Sequence, residues 1–262
     1  MDLGLKGRVA LVAAGSKGLG RAIALELAAE GARVAICARG KDALDATVAE
    51  ITRAGGHAVG FVADVSRTED VAQVVASTKT ALGPIDILVT NSGGPRSGTF
   101  DVLSPDDWDQ ATRVLLTSAV GLTRAVIADM KARKWGRILN ITSIAAKQPV
   151  DGLMLSNSLR AAVTAFARTL ANEVAPHGIT VNNLLPGYTR TDRVVDLAAQ
   201  MATSSGTTPD AVAAKWEAQI PMGRLGEPKE FAALAAFLAS ERASYITGQS
   251  IAVDGGWIRA LL

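Results

Sequence analysis

A glycine-rich turn with one lysine follows the first apolar run of the chain, at residues 13–20. The run before it, residues 9–13, is short and continuously apolar, as in a strand buried on both faces, and helical spacing begins at Leu19. Glycines let the backbone approach a pyrophosphate, whose charge the start of a helix favours. A tight strand-to-helix connection without a ligand would show the same glycines. We predict a dinucleotide-binding turn formed by Gly15, Ser16, Lys17, Gly18, Leu19 and Gly20.

The charges near this turn indicate which dinucleotide it binds. A carboxylate at the end of the second strand would bond the ribose of NAD and repel a 2′-phosphate. The predicted second strand ends instead at Ala38 and Arg39, and Lys17 adds a second cation. Two cations favour NADP(H) over NAD(H). The alternative is that Arg39 only precedes a helix and that Lys17 is simply solvated.

Strand-like and helical patterns alternate along the chain, and these elements must position the turn. A strict alternation of strands and helices implies parallel strands joined by right-handed crossovers. The sequence therefore predicts an α/β fold, a doubly wound and mostly parallel sheet of about seven strands with helices on both faces. The predicted strands are 9–13, 33–38, 58–63, 85–90, 136–142, 179–185 and 251–253, and three predicted helices are 41–54, 68–82 and 105–133.

Residues 1–262 are predicted to form a single domain, because no linker or shift in composition divides them. Only the segment at about 191–221 interrupts the alternation of strands and helices. Two short helices above the carboxyl edge of the sheet would fit there, and such insertions often act as lids.

Composition and charge exclude several classes of protein. The 262 residues carry 27 Lys+Arg and 25 Asp+Glu, a net charge of +2, which gives no footprint for nucleic acid. Apolar runs such as 231–239 are far shorter than the ~20 residues that span a bilayer. A lone Cys37 favours a reducing, cytoplasmic compartment, and together with His57 and His177 it gives no metal cluster. We therefore expect a cytoplasmic protein with a small-molecule ligand and with no metal, nucleic-acid or membrane partner.

Four further motifs follow predicted strands, at residues 64–65, 91–93, 140–143 and 186–191. With the glycine turn, they resemble the short-chain dehydrogenase/reductase family over essentially the whole chain, and its 3-oxoacyl-ACP reductase-like members in particular. The resemblance implies a Rossmann fold and a homotetramer or homodimer, and the apolar ending at 257–262 agrees with a subunit contact. It adds these cofactor-binding residues: Asp64, Val65, Asn91, Ser92, Gly93, Arg160, Pro186, Gly187, Thr189 and Thr191.

The glycine turn departs from the family at its start. Where the family has Thr-Gly, this chain has Ala13 and Ala14, and a glycine follows at Gly15. Ala14 places a methyl group where backbone usually approaches phosphate. We expect weaker nucleotide binding or a slightly reshaped turn.

The resemblance implies catalysis by a serine, a tyrosine acid, a lysine four residues later and an upstream asparagine. Ser143 matches the serine, whereas the other three positions hold Ser156, Arg160 and Leu115. A serine hydroxyl is far too weak an acid to replace a phenol with a pKa of ~10. Arg160 can bind ribose hydroxyls, but with a pKa above ~12 it will not relay protons. Ordinary carbonyl reduction by the family mechanism is therefore not expected.

Two hypotheses follow from the altered positions. In the first, the chain transfers hydride to or from a small carbonyl, alcohol or imine, with Ser143 and Ser156 orienting the reacting atom. Arg160 then holds the ribose, and water or Tyr188 moves the proton; Tyr188 packing over the cofactor is the alternative. In the second, the chain is a non-redox or catalytically silent homologue that uses the same cleft as a lyase, a regulator or a partner-binding subunit.

Four cations are expected around the mouth of the cleft, namely Arg96, Lys147, Arg190 and Arg193. Together they would suit a substrate that carries a carboxylate or a phosphate. Surface arginines are usually only solvated, so the sequence leaves this hypothesis open.

Overall fold

The computed structural model describes residues 2–261, and in these residues seven parallel strands form one sheet in the order β3-β2-β1-β4-β5-β6-β7. This sheet confirms the predicted α/β fold. The strands are β1 (Val9–Ala13), β2 (Arg33–Ala38), β3 (His57–Val62), β4 (Ile87–Thr90), β5 (Gly136–Ile141), β6 (Ile179–Pro186) and β7 (Ser250–Val253).

Helices connect the strands, and one of them contains an irregular turn. A π-helical turn at Arg113–Thr117 joins α4 and α5 into one continuous helical stretch. The helices are α1 (Gly18–Ala29), α2 (Lys41–Arg53), α3 (Thr68–Leu82), α4 (Pro105–Thr112), α5 (Ser118–Arg133), α6 (Met154–Val174), α7 (Asp192–Ser205), α8 (Pro209–Gln219) and α9 (Pro228–Ala239).

The two faces of the sheet carry separate cores. Alternate residues of a strand point to opposite faces, so Val12 of β1 packs with α1, α2 and α9, whereas Leu11 packs with α3, α5 and α6. Continuously apolar strands are what a sheet covered on both faces requires. From β1 the strand order runs outward through β2 and β3, and from the neighbouring β4 it runs outward in the opposite direction. In such sheets, ligands bind at the carboxyl ends of the two strands where the order reverses.

One helical stretch, Pro105–Arg133, is long and apolar enough to cross a membrane, with a mean hydropathy of 1.3. The prediction from the sequence rested only on uninterrupted apolar runs and therefore did not include this helical stretch, whose apolar residues are interrupted by polar ones. In the fold, Leu122, Val126 and Met130 of this stretch lie in the core beneath the sheet. The packing of the core therefore explains part of its apolar character, since 39% of the apolar window is buried.

Candidate active site

The glycine turn is packed so tightly that two of its glycines admit no side chain. A Cβ atom on Gly20 would lie 2.3 Å from the carbonyl oxygen of Ala14, and one on Gly15 would lie 2.8 Å from Ile36. The amide of Gly15 also donates to the carbonyl of Cys37, at 3.1 Å. The turn is thereby fixed against β2 and against the first turn of α1.

Ala14 occupies a left-handed backbone conformation, with φ of +47°. An L-residue in this region costs about 1–2 kcal/mol, which glycine avoids. Ala14 therefore adds backbone strain to the turn at the position where the family pattern has glycine.

The start of α1 is open to an anion. Lys17 is the residue before the helix, no side chain caps the helix, and its first turn holds no acidic residue. The first amides of a helix lack partners within it and favour a negative charge. By contrast, Ser104 forms a capping box at the start of α4, away from the turn. The first turn of α1 thus has the chemistry that a pyrophosphate requires.

Lys17 and Arg39 are both exposed beside this turn, and within residues 2–261 neither forms an ion pair. Cations nearby are paired, as Lys41 is with Asp45 at 2.5 Å. Asp64, which follows β3, is a carboxylate on which the charge of Arg39 acts. Burial opposes its ionisation, but hydrogen bonds from Ser66 and the charge of Arg39 leave the pKa of Asp64 lowered. The neighbouring Val65 packs against the core.

The predicted residues after β4 and β6 close around the same cleft. Asn91 donates to the carbonyl of Ala14 at 3.5 Å, and Ser92 and Gly93 continue that loop. Thr191 approaches from the other side, since a Cβ on Gly18 would lie 3.4 Å from its methyl group. This second loop begins after Pro186, the last residue of β6. The amide of Gly187 donates to the carbonyl of Val253, and the hydroxyl of buried Thr189 donates to the carbonyl of Gly187.

Ser143 and Ser156 carry hydroxyl groups with no acceptor among the described residues. Ser143 follows β5, and its Oγ accepts from the amide of Ala145 at 3.1 Å. Ser156 lies in the first turn of α6 and is half-buried. Arg160 follows Ser156 by four residues and therefore shares its side of the helix. Both hydroxyl protons remain free to be donated to a ligand.

Arg160 is a partly buried cation with incomplete hydrogen bonding. One of its terminal nitrogens donates to the carbonyl of Ile141, whereas its Nε is buried without a partner in the part of the chain that the structure describes. Burial and then the positive charge of Arg193 lower the pKa of Arg160 to about 10. The sequence-based value above ~12 was therefore too high. The group nevertheless stays charged at neutral pH.

Leu115, which the sequence leads us to expect at the asparagine position of the family pattern, is buried. It lies within the π-helical turn and packs with Leu155 and Leu159 of α6. It also lines a cavity of about 10 Å³ together with Arg160, which is room for about one water molecule. Turns of this type are frequent at functional sites. An apolar side chain therefore lies beside the partly buried guanidinium of Arg160.

Tyr188 is held by aromatic packing. Its ring stacks on Trp216 of α8 with centroids 4.5 Å apart and meets the edge of Trp257 at 6.1 Å. Burial raises the pKa of Tyr188, which makes the phenol a weaker acid. Trp257 is 9% exposed within this cluster, so it does not belong to an exposed apolar ending as the sequence suggested. Leu262 lies outside the described residues.

The four cations expected at the mouth of the cleft differ in their partners. Arg96 pairs with Asp107 at 2.8 Å, and Arg190 pairs with Glu217 and Glu227 at 3.5 and 3.0 Å. Lys147 is exposed, and Arg193 donates to the carbonyl of Pro95 at 3.0 Å. Neither Lys147 nor Arg193 pairs with a carboxylate within residues 2–261.

Other reactive side chains lie away from the cleft or are inert. Cys37 is buried in β2, and burial raises the pKa of its thiol to about 12. His57 begins β3, and His177 ends the short helical turn after α6. Among residues 2–261, no three His, Cys, Asp or Glu side chains are grouped as metal ligands would be.

Comparison with known proteins identifies the family. A family model described as enoyl-(acyl carrier protein) reductase matches residues 13–258. A 3-oxoacyl-[acyl-carrier-protein] reductase of Synechocystis is 37% identical over 97% of this chain and 98% of its own. The chain belongs to the short-chain dehydrogenase/reductase family. Another relative, acetoacetyl-CoA reductase of Shinella zoogloeoides, is 37% identical over 95% of this chain and 98% of its own.

Solved structures of the short-chain dehydrogenase/reductase type share the fold in full. L-sorbose reductase from Gluconobacter frateurii, complexed with NADPH and L-sorbose, has a TM-score of 0.94 and 33% identity, with 100% of both chains covered. An actinorhodin polyketide ketoreductase with NADPH has a TM-score of 0.94 and 32% identity, over 97% of this chain and 98% of its own.

Proposed function

We propose that this chain is a cytoplasmic NADP(H)-dependent oxidoreductase that reduces imines, or other readily protonated acceptors, without a phenolic acid. The observation that carries the proposal is the contrast inside one cleft. The glycine turn is tightly packed at the uncapped start of α1, which supports a dinucleotide site, and Ser156, Arg160 and Leu115 lie where the resemblance to the family leads us to expect tyrosine, lysine and asparagine. The reductase names of the relatives support the oxidoreductase class.

The nucleotide half of the cleft fits the cofactor group by group. The amides at the start of α1 would hold the pyrophosphate, and Lys17 with Arg39 would hold the 2′-phosphate. Arg160 would bond the nicotinamide ribose, which would give its buried Nε a partner. When bound, NADPH supplies a hydride to the substrate.

The other half of the cleft orients the acceptor and supplies its proton. Ser143 and Ser156 would donate their free hydroxyls to the reacting nitrogen or oxygen. An iminium already carries its proton, so it needs no strong acid from the protein. For a neutral acceptor, the proton would come from water or from Tyr188, whose pKa is raised by burial and whose ring is stacked on Trp216.

The segment at about 191–221 is the proposed lid. Its helices α7 and α8 form an apolar cluster with Leu185 of β6, and Thr191 faces the glycine turn. Closure of this segment would exclude water from the cleft. We also propose a homotetramer or homodimer, and light scattering that gives the mass of one chain would reject it.

The test compares a cyclic imine with a ketone of similar shape. With NADPH, we expect the chain to reduce 2-methyl-1-pyrroline faster than cyclopentanone. Ser156→Ala should slow imine reduction, whereas Ser158→Ala, an exposed site on the same helix, should not. Equal or faster reduction of the ketone contradicts the proposal. Binding of NADPH without reduction of either compound would favour the catalytically silent alternative.

A further inference from the structure

Arg193 lies over the loop that follows β4. It belongs to the first turn of α7, yet its guanidinium donates to the carbonyl of Pro95 at 3.0 Å. A Cβ atom on Gly94 would lie 2.8 Å from Nε of Arg193, so the two are in direct contact. The first turn of α7 is thereby attached to the loop whose earlier residues, 91–93, are proposed to contact the cofactor.

Arg160 is the second cation of this region. It lines the small cavity with Asn91 and Ser92 of the same loop, and its Nε has no partner among residues 2–261. Arg193 is close enough for its charge to act on Arg160. Arg160 is partly buried and Arg193 is exposed, and their positive charges repel each other less when an anion lies between or beside them.

No carboxylate of the described residues pairs with either arginine, although the other arginines around the cleft are paired. Arg96 has Asp107 as a partner, and Arg190 has two glutamates. The residues that line the cavity with Arg160 are polar or apolar, and none is acidic. The positive charge is therefore concentrated in one place, between α6, the loop after β4 and the start of α7.

We propose that Arg193 determines substrate specificity by binding a carboxylate on the molecule that is reduced. This inference rests on the proposed function, in which Arg160 is occupied by the ribose and Ser143 with Ser156 face the reacting group. Among residues 2–261, Arg193 then remains as the arginine of this region that has no carboxylate partner and is attached to the loop after β4. Its planar guanidinium matches a carboxylate with two parallel hydrogen bonds. The substrate class is accordingly a small oxo or imino acid.

The experiment measures binding of acetoacetate and of its uncharged methyl ester to the purified protein by calorimetry. Each titration is made with and without saturating NADPH, and NADPH binding itself is measured first. We expect the acid to bind at least about tenfold more tightly than the ester. Arg193→Gln should remove this difference and leave NADPH affinity unchanged. Arg190→Gln, a paired arginine three residues earlier, should leave both unchanged.

Several outcomes would overturn the inference. They are equal binding of acid and ester, binding of neither, or an Arg193→Gln variant that still prefers the acid. A variant that loses NADPH affinity instead would assign Arg193 to the cofactor. If NADPH does not bind at all, the proposed function fails by itself. The titrations without NADPH then still decide whether Arg193 binds the carboxylate.

Discussion

The nucleotide half of the cleft, around β1 and β2, depends on backbone geometry, whereas the half around β5 and α6 depends on side chains. Around β1 and β2, the fold keeps a backbone shape, with an uncapped helix start and glycines that admit no side chain. Around β5 and α6, the chemistry that we propose depends on side chains, and we infer that Ser156, Arg160 and Leu115 stand where the family pattern has tyrosine, lysine and asparagine. Backbone geometry tolerates substitutions such as Ala14 that keep its conformation, whereas a proton donor is lost with a single side chain. Nucleotide binding and ordinary carbonyl reduction can therefore separate within one fold.

The largest expected effect comes from restoring the missing side chains. The triple variant Ser156→Tyr, Arg160→Lys, Leu115→Asn should gain reduction of methyl acetoacetate by about 10²–10⁴-fold, because a positioned acid contributes that much. The measurement is the rate of NADPH oxidation. Ser156→Phe in place of Ser156→Tyr is the control, since it supplies the ring without the hydroxyl. If the triple variant folds and binds NADPH but gains nothing, the substrate side of the cleft has diverged as well.

The second effect tests the backbone of the nucleotide half. Gly20→Ala would force a Cβ to 2.3 Å from the carbonyl of Ala14, so we expect a loss of about 1–3 kcal/mol in stability and weaker NADPH binding. Urea unfolding and fluorescence titration measure the two. The control is Gly121→Ala in α5, where the nearest atom is 4.0 Å away and a gain of up to ~1 kcal/mol is expected. Similar behaviour of both variants would contradict the tight packing of the turn.

The third effect concerns the choice of cofactor. Lys17→Ala and Arg39→Ala should each weaken NADPH binding about tenfold, because each removes a charge-assisted hydrogen bond to the 2′-phosphate. Binding of NADH, which lacks this phosphate, should not change. Arg67→Ala provides a control, since this exposed arginine also acts on Asp64 but lies outside the predicted site. Equal losses for NADPH and NADH would assign both cations to some other part of the nucleotide.

The smallest effect is the relief of strain at Ala14. Because its φ is +47°, Ala14→Gly should stabilise the protein by about 1 kcal/mol and raise Tm by roughly 2–4 °C. Differential scanning calorimetry measures this, and NADPH affinity should rise or stay the same. Lys134 also has a positive φ, of +53°, but it lies at the end of α5. Lys134→Gly is therefore the control, because it should raise Tm by relief of strain without changing NADPH affinity. A lower Tm for Ala14→Gly would show that the turn is not strained.

The sequence predicted the elements whose signals are local. Gly31 follows the end of α1, and the apolar run at β1 was placed correctly because buried parallel strands need such runs. α6 begins at Met154, and Ser156 and Ser158 near its start are residue types that favour helix interiors only weakly. Pattern alone could therefore not locate the start of the helix that carries the altered site.

Features that depend on contacts distant in sequence were missed. Nothing in the spacing of Arg193 indicates that it reaches Pro95, because that contact exists only after β4 and β6 are placed in the sheet. The π-helical turn at Leu115 was missed for a different reason, since a helical period of 3.6 continues through one wider turn. A hydrogen-bonded row from Thr90 through Asn140 to Asn183 likewise became visible only in the assembled sheet.

The central claim is that the cleft binds NADPH but lacks the ordinary acid for ketones. One fluorescence experiment tests both parts: NADPH is titrated with excess protein, and methyl acetoacetate is then added while the emission is followed. We expect a saturable change on binding, followed by decay at least about 10²-fold slower than in the triple variant. The absence of a binding signal, or decay as fast as in that variant, would contradict the claim.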